Sequence, residues 1–220
     1  MEFILLVLAA IMAVFLGWLL RQSFNTSPWV AEAVGDHAHE APLGANAKTV
    51  ALAVLLAVIT SFFTLILSAY AERMDLGDWV PISEPGLLWV NTAALTVASL
   101  AFQWTRQAAV RDRRGLLLPG MLLTGVLTLA FVAGQLIAWR ELLAQGVTLS
   151  GNPANGFFYL LTAAHALHIA GGLYVWARAT LRLATGAPAA AVRQSIELCT
   201  VYWHFLLMVW LVLFGFLLST

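Results

Sequence analysis

The amino-acid sequence predicts an all-α, polytopic membrane helix bundle of six transmembrane helices: a five-helix core preceded by one N-terminal helix. Three observations carry that prediction. Of 220 residues, 61% are hydrophobic and only 10% are charged. The mean hydropathy is +0.87, more apolar than a soluble domain of this size needs. Six uncharged stretches are also long enough to cross about 30 Å of hydrocarbon as helices.

The spans run Phe3–Leu20, Thr49–Ala71, Pro85–Thr105, Gly115–Trp139, Asn155–Ala177 and Leu198–Thr220, and none contains Asp, Glu, Lys or Arg. Strands of a membrane barrel are about ten residues long and alternate in polarity, which these runs do not. The first span reads as retained rather than cleaved. Met1-Glu2 lacks a basic leader, and Arg21-Gln-Ser-Phe follows the span without an Ala-x-Ala site. Residues 21–48 make a long connection, broken at Asn25-Thr-Ser-Pro28. Two regions follow: residues 1–47, an N-terminal helix with its linker, and residues 48–220, the five-helix core. There is no inverted repeat and no matched pair of broken spans, which argues against a secondary transporter.

Charge in the loops predicts orientation. Arg106, Arg111, Arg113 and Arg114 gather between the third and fourth spans, and Arg178, Arg182 and Arg193 between the fifth and sixth. The second-to-third loop carries Glu72, Asp75, Asp78 and Glu84 against Arg73. The positive-inside rule assigns the Arg-rich loops to the cytoplasm, and parity then puts both termini outside.

Net charge is zero, so nothing argues for nucleic acid as a partner. Cys199 is the only cysteine, which excludes an intrachain disulfide, a Cys-x-x-Cys-His haem attachment and a thiolate cluster. The residues that stand out are polar groups inside spans. A bilayer solvates imidazole poorly, so an intramembrane histidine marks a place of interest. His165, His168, Gly172 and Trp176 fall on one stripe of the fifth span. Ala166 and Ala170 there form a small-xxx-small pair that suits close backbone approach. In the sixth span Glu197 and His204 share a face, flanked by Tyr202 and Trp203.

Two readings of these groups stand side by side. His165, His168, His204 and Glu197 suit a metal or haem site, as facing helices of bundles do build such sites. They equally suit a hydrogen-bonded polar seam that holds helices in register. The seam is favoured, because the His165/His168 pair supplies one face only and a bis-His haem site needs opposed histidines. Asp36-His-Ala-His-Glu40 reads as a solvated loop or a weak surface metal site. Gln135 suits a proton path, a lipid contact or an interhelical hydrogen bond, the last favoured, and Asn91 and Thr92 read the same way. Trp18, Trp79, Trp89, Trp104 and Trp139 suit interfacial belts.

Four segments resemble haem-copper oxidase subunit III. Phe158-Tyr-Leu-Leu-Thr-Ala-Ala-His-Ala-Leu-His-Ile-Ala-Gly-Gly172 is similar to that family's T-x-x-H-G-x-H-V-x-x-G signature. Glu197-x-x-x-x-Tyr-Trp-His-Phe205, with Val209-Trp-Leu-Val-Leu-Phe214, resembles its last helix. Leu88-Trp-Val-Asn-Thr92 is similar to P-L-L-N-T, and Gln135 falls on the glutamine of Q-x-x-E-W/Y. The motifs cover about residues 48–220. The familiar form has seven helices, and this chain matches its last five. Val58, Ala138 and Leu207 stand where the family often has carboxylates, so roles of those carboxylates are not carried over.

The resemblance implies a non-catalytic accessory subunit of a proton-pumping cytochrome oxidase in a bacterial inner membrane. Such a subunit packs on oxidase subunit I, lies in a complex with subunit II and small subunits, and holds phospholipid. It supports proton uptake, while haem and copper sit in partner subunits and none in this chain. An accessory subunit of a nitric oxide reductase is the alternative. A stand-alone His-ligated membrane metalloenzyme is a remote one.

Overall fold

The computed structural model describes residues 43–82 and 86–219. The predicted first span Phe3–Leu20, its linker and the Asp36–Glu40 loop lie outside the described residues. Five helices follow one another: α1 Leu43–Met74, α2 Leu87–Val110, α3 Arg114–Ala144, α4 Pro153–Ala184 and α5 Ala189–Leu218. All five are long and apolar enough to cross a membrane. Helix is the solution hydrocarbon enforces, because each backbone N–H and C=O is then satisfied within its own segment.

The chain divides into two units between Phe62 and Phe63, inside α1. Residues 43–62 are helical throughout. In the second unit α2 packs on α3 and α5, and α4 packs on α3 and α5, which closes a four-helix ring. The part of α1 from Phe63 onward meets this ring through aromatic side chains. The Phe63 ring lies 5.5 Å from the His168 ring. The Tyr70 ring meets Trp79, Phe157 and Phe216 edge-on at 4.9, 5.3 and 6.0 Å.

The helices outrun the predicted spans. α5 starts at Ala189, not Leu198. The apolar run marks only the part that meets hydrocarbon, whereas the helix continues until its capping geometry stops it. Pro188 precedes the first turn in extended conformation. Arg193 Nε donates to Glu197 Oε1 at 3.0 Å, an (i, i+4) pair that supports the polar overhang.

Helix ends repeat one device. α3 stops where Val147 N–H reaches Leu142 O at 3.0 Å and Gly146 N–H reaches Leu143 O at 3.1 Å. α4 stops likewise, with Ala187 N–H on Arg182 O at 3.0 Å and Gly186 N–H on Leu183 O at 3.2 Å. Gly146 and Gly186 supply the positive φ that this closure needs, at 82° and 90°. α2 closes by the same bonds, Arg113 to Ala108 and Asp112 to Ala109, but with Asp112 at φ 50° in the glycine's place. The turn that carries the arginines Arg111, Arg113 and Arg114 is therefore tight and defined.

At the opposite end Arg73 grips Asp78 with both guanidinium nitrogens, at 2.6 and 2.5 Å. That hydrogen bond holds the Asp78 carboxyl below its ordinary range. The pairing is thus complete at neutral pH and is lost as pH falls through the lowered value. Asn152 caps α4 by accepting from Ala154 N–H at 3.2 Å. Its amide nitrogen also donates to Val80 O at 2.6 Å, so one residue ties two loops together. Asn152→Ala should lower the stability of the chain in its membrane assembly by about 1 kcal/mol, the usual cost of an N-cap. Thermal inactivation of the purified assembly measures it, and an unchanged midpoint would refute the tie.

Candidate functional site

The intramembrane polar groups are distributed along the four-helix ring, and each of the three histidines there has a bond of its own. His165 on α4 is fully buried, and its Nε2–H donates to the Leu206 carbonyl of α5 at 2.9 Å. The ring lies 5.2 Å from the Trp210 ring and 5.8 Å from Phe131. His168, one turn on, points its Nδ1–H back to Ala164 O of its own helix at 2.7 Å. The His168 carbonyl accepts from Tyr202 Oη at 2.9 Å. His204 on α5 turns the other way, toward α2. Its Nδ1 pairs with Ser99 Oγ and its Nε2 with Gln103 Oε1 at 3.3 Å. Since an amide oxygen only accepts, the proton sits on Nε2 and the Ser99 hydroxyl donates to Nδ1.

Glu197 does not join His204 but pairs with Arg193 at the Arg-rich end of α5. His165, His168, His204 and Glu197 therefore face separate partners. Among the described residues no three His, Cys, Asp or Glu side chains come together in a geometry that holds a metal. Gln135 and Asn91 are buried at the same depth of the bundle, but neither Gln135 amide atom is bonded among the described residues.

The bundle has a second set of polar contacts, of which the sequence analysis singled out Thr92 and Trp203 but not the pairing. Three tryptophan indoles donate across the ring to threonine hydroxyls: Trp139 to Thr162 at 3.1 Å, Trp203 to Thr128 at 3.0 Å and Trp210 to Thr92 at 2.9 Å. In each case the threonine hydroxyl itself donates to the carbonyl four residues earlier, Phe158, Thr124 or Leu88, at 2.7 to 2.8 Å. A fourth indole, Trp176, donates to Met121 O at 2.9 Å. Trp139, half-buried, spends its N–H on this bond, whereas Trp89 and Trp104 are exposed. The available signal was threonine within uncharged spans that also hold tryptophan.

On α4 the α5 side chains come closest to bare backbone at Gly172. A Cβ on Gly172 would stand 2.8 Å from Tyr202 and 3.0 Å from Trp203, while Ala170 is exposed. The stripe through His165 and Gly172 is the one that faces α5, and Ala170 lies off it.

Thr128→Val keeps the volume but strips the acceptor from the Trp203 N–H. It should cost about 1 kcal/mol, as polar contacts between membrane helices do. Thr128→Ser should restore most of that loss. Thermal melts of the two variants in the assembled state test the pair, and equal melts for valine and serine would disprove it.

Comparison with known proteins agrees with this architecture. The family profile of cytochrome c oxidase subunit III matches residues 1–218, a stretch wider than the motif-bearing core. The chain is similar to a probable cytochrome c oxidase subunit 3 of Mycobacterium leprae, 31% identical over 179 residues that cover 77% of this chain and 86% of that protein. A cytochrome c oxidase subunit 3 of Synechocystis is 28% identical over 203 residues, covering 89% of this chain and 83% of the relative. One of Yarrowia lipolytica is 28% identical over 191 residues, covering 82% and 69%.

Proposed function

Because the chain belongs to the cytochrome c oxidase subunit III family and is a multi-pass accessory oxidase subunit, we propose that it stabilises the catalytic subunit I. In this reading it also holds phospholipid and supports proton uptake during turnover. Haem and copper reside in partner subunits, subunit II among them, and this chain carries neither.

The observation that supports the reading best is how the imidazoles are used. Each of the three described imidazoles is engaged by a hydrogen bond to a carbonyl, a hydroxyl or an amide of the fold. A scaffold needs this arrangement: helices locked by satisfied polar pairs inside and a lipid-compatible surface outside. The outer surface is apolar, with Leu100, Val126, Leu129, Leu167 and Leu181 among its exposed side chains. The Asn91, Gln135, His165, His168, Glu197, Tyr202, Trp203 and His204 group therefore acts structurally, as seam or as contact to subunits and lipid.

Orientation is part of the proposal. The Arg111–Arg114 turn and the Arg182–Arg193 connection face the cytoplasm, and both termini face outward. Cysteines introduced at Arg113 and at Gly77 should label from opposite sides of sealed vesicles, Gly77 from the outside. Labelling of both from one side would reject this topology.

Purification of the whole oxidase with and without this chain tests the role. Both preparations should show the same haem spectrum, while the depleted one should lose activity several-fold faster during turnover. Stoichiometric haem on the isolated chain, or identical inactivation of the two preparations, would overturn the proposal.

A further inference from the structure

One layer of the bundle holds more polar atoms than partners. Asn91 on α2, Gln135 on α3 and His165 on α4 are buried to 2%, 2% and 0% exposure. Asn91 Nδ2, both Gln135 amide atoms and His165 Nδ1 have no hydrogen-bond partner among the described residues. An orphaned polar group inside hydrocarbon costs several kcal/mol, so such atoms are rarely left alone. Trp79 Nε1 and Arg106 Nε are unmet elsewhere, but three such residues in one layer call for a common explanation.

Their shared location follows from five contacts. The Trp210 ring lies 5.0 Å from Phe131 and 5.2 Å from His165. Gln135 follows Phe131 by one turn of α3 and shares its face. The Trp203–Thr128 bond sets the register between the parallel helices α5 and α3. Two turns further along both helices come Trp210 and Gln135, at one level. Trp210 donates to Thr92, the neighbour of Asn91. The Asn91 side chain in turn packs against Gly134, the neighbour of Gln135, so closely that a Cβ there would overlap its amide.

The chemistry of the unmet atoms is complementary but not mutual. The His165 Nε2–H is committed to the Leu206 carbonyl, which leaves Nδ1 as a lone-pair acceptor in need of a donor. Asn91 offers N–H groups, and Gln135 offers both N–H groups and an oxygen. Asp, Glu, Lys and Arg are absent from the spans that form this layer, so nothing there selects an ion. The guest that fits is small, neutral and able to donate and accept at once.

We propose that Asn91, Gln135 and His165 form a binding site for buried water at the centre of the four-helix ring. One water donates to His165 Nδ1 and accepts from a side-chain amide N–H. The remaining amide atoms bond the same water or a second one. Buried waters typically make about three such bonds, a number these four atoms supply. This site is a property of the bundle interior and does not depend on the accessory role proposed above.

A density map of the intact membrane assembly at about 2 Å or better tests the site directly. A solvent peak should lie at hydrogen-bonding distance, about 2.7–3.2 Å, from His165 Nδ1 and from the amide of Asn91 or Gln135. A direct amide–amide bond between Asn91 and Gln135, with no peak beside His165 Nδ1, would overturn the proposal. The map of Gln135→Leu in the same assembly supplies an independent reading. The peak should vanish or move while the His165–Leu206 bond persists, and an unchanged peak would remove Gln135 from the site and refute the three-residue form.

Discussion

A threonine hydroxyl that donates to its own helix still carries lone pairs, and the bundle depends on where those point. Thr92, Thr128 and Thr162 each satisfy their proton locally and hold an acceptor out toward another helix. A tryptophan N–H answers in every case. Indole has one donor and no acceptor, so it fits a site that offers only a lone pair. No charge is buried in the exchange, and no polar atom of the pair is left over. Because hydrocarbon offers no competing solvent, these few contacts set the register of helices whose apolar surfaces would otherwise slide against one another.

The histidines follow the same economy. His165 joins α4 to α5 and His204 joins α5 to α2, so the two rings work on different seams. His168 bonds back along α4 while its backbone carbonyl receives Tyr202. Two histidines three residues apart invite a ligand reading, but a shared face does not mean a shared target. What decides is the direction each ring takes, and here the directions diverge.

Much of this was legible from composition and spacing. Uncharged runs located all five described membrane helices, since the bilayer imposes both length and polarity on them. The three histidines singled out in the spans each bond within the fold. Helix ends were less legible: α5 continues back to Ala189 through charged residues that hydropathy reads as loop. Partner choice was not legible either. Ala166–Ala170 and Gly172 look alike as small residues, and only the azimuth of α4 puts Gly172 against Tyr202 and Trp203. Trp139 looked like an interfacial residue because its position near Arg140 says nothing of Thr162 on the next helix. Gln135 was expected to bond across helices, and its amide has no partner among the described residues, because the reach of a side chain depends on packing that one sequence does not encode visibly.

α3 meets its neighbours over bare backbone. Gly125 receives the Trp176 indole and Gly134 the Asn91 amide, each too near for even a methyl group to intervene. These two glycines look toward different helices, α4 and α2. Substitutions along α3 should therefore be filtered by shape more than by hydrophobicity, with alanine excluded at sites where leucine is welcome one residue away. The oily exterior of this subunit thus tolerates exchange of one apolar side chain for another, while these two hidden positions on opposite flanks of α3 set a limit on bulk.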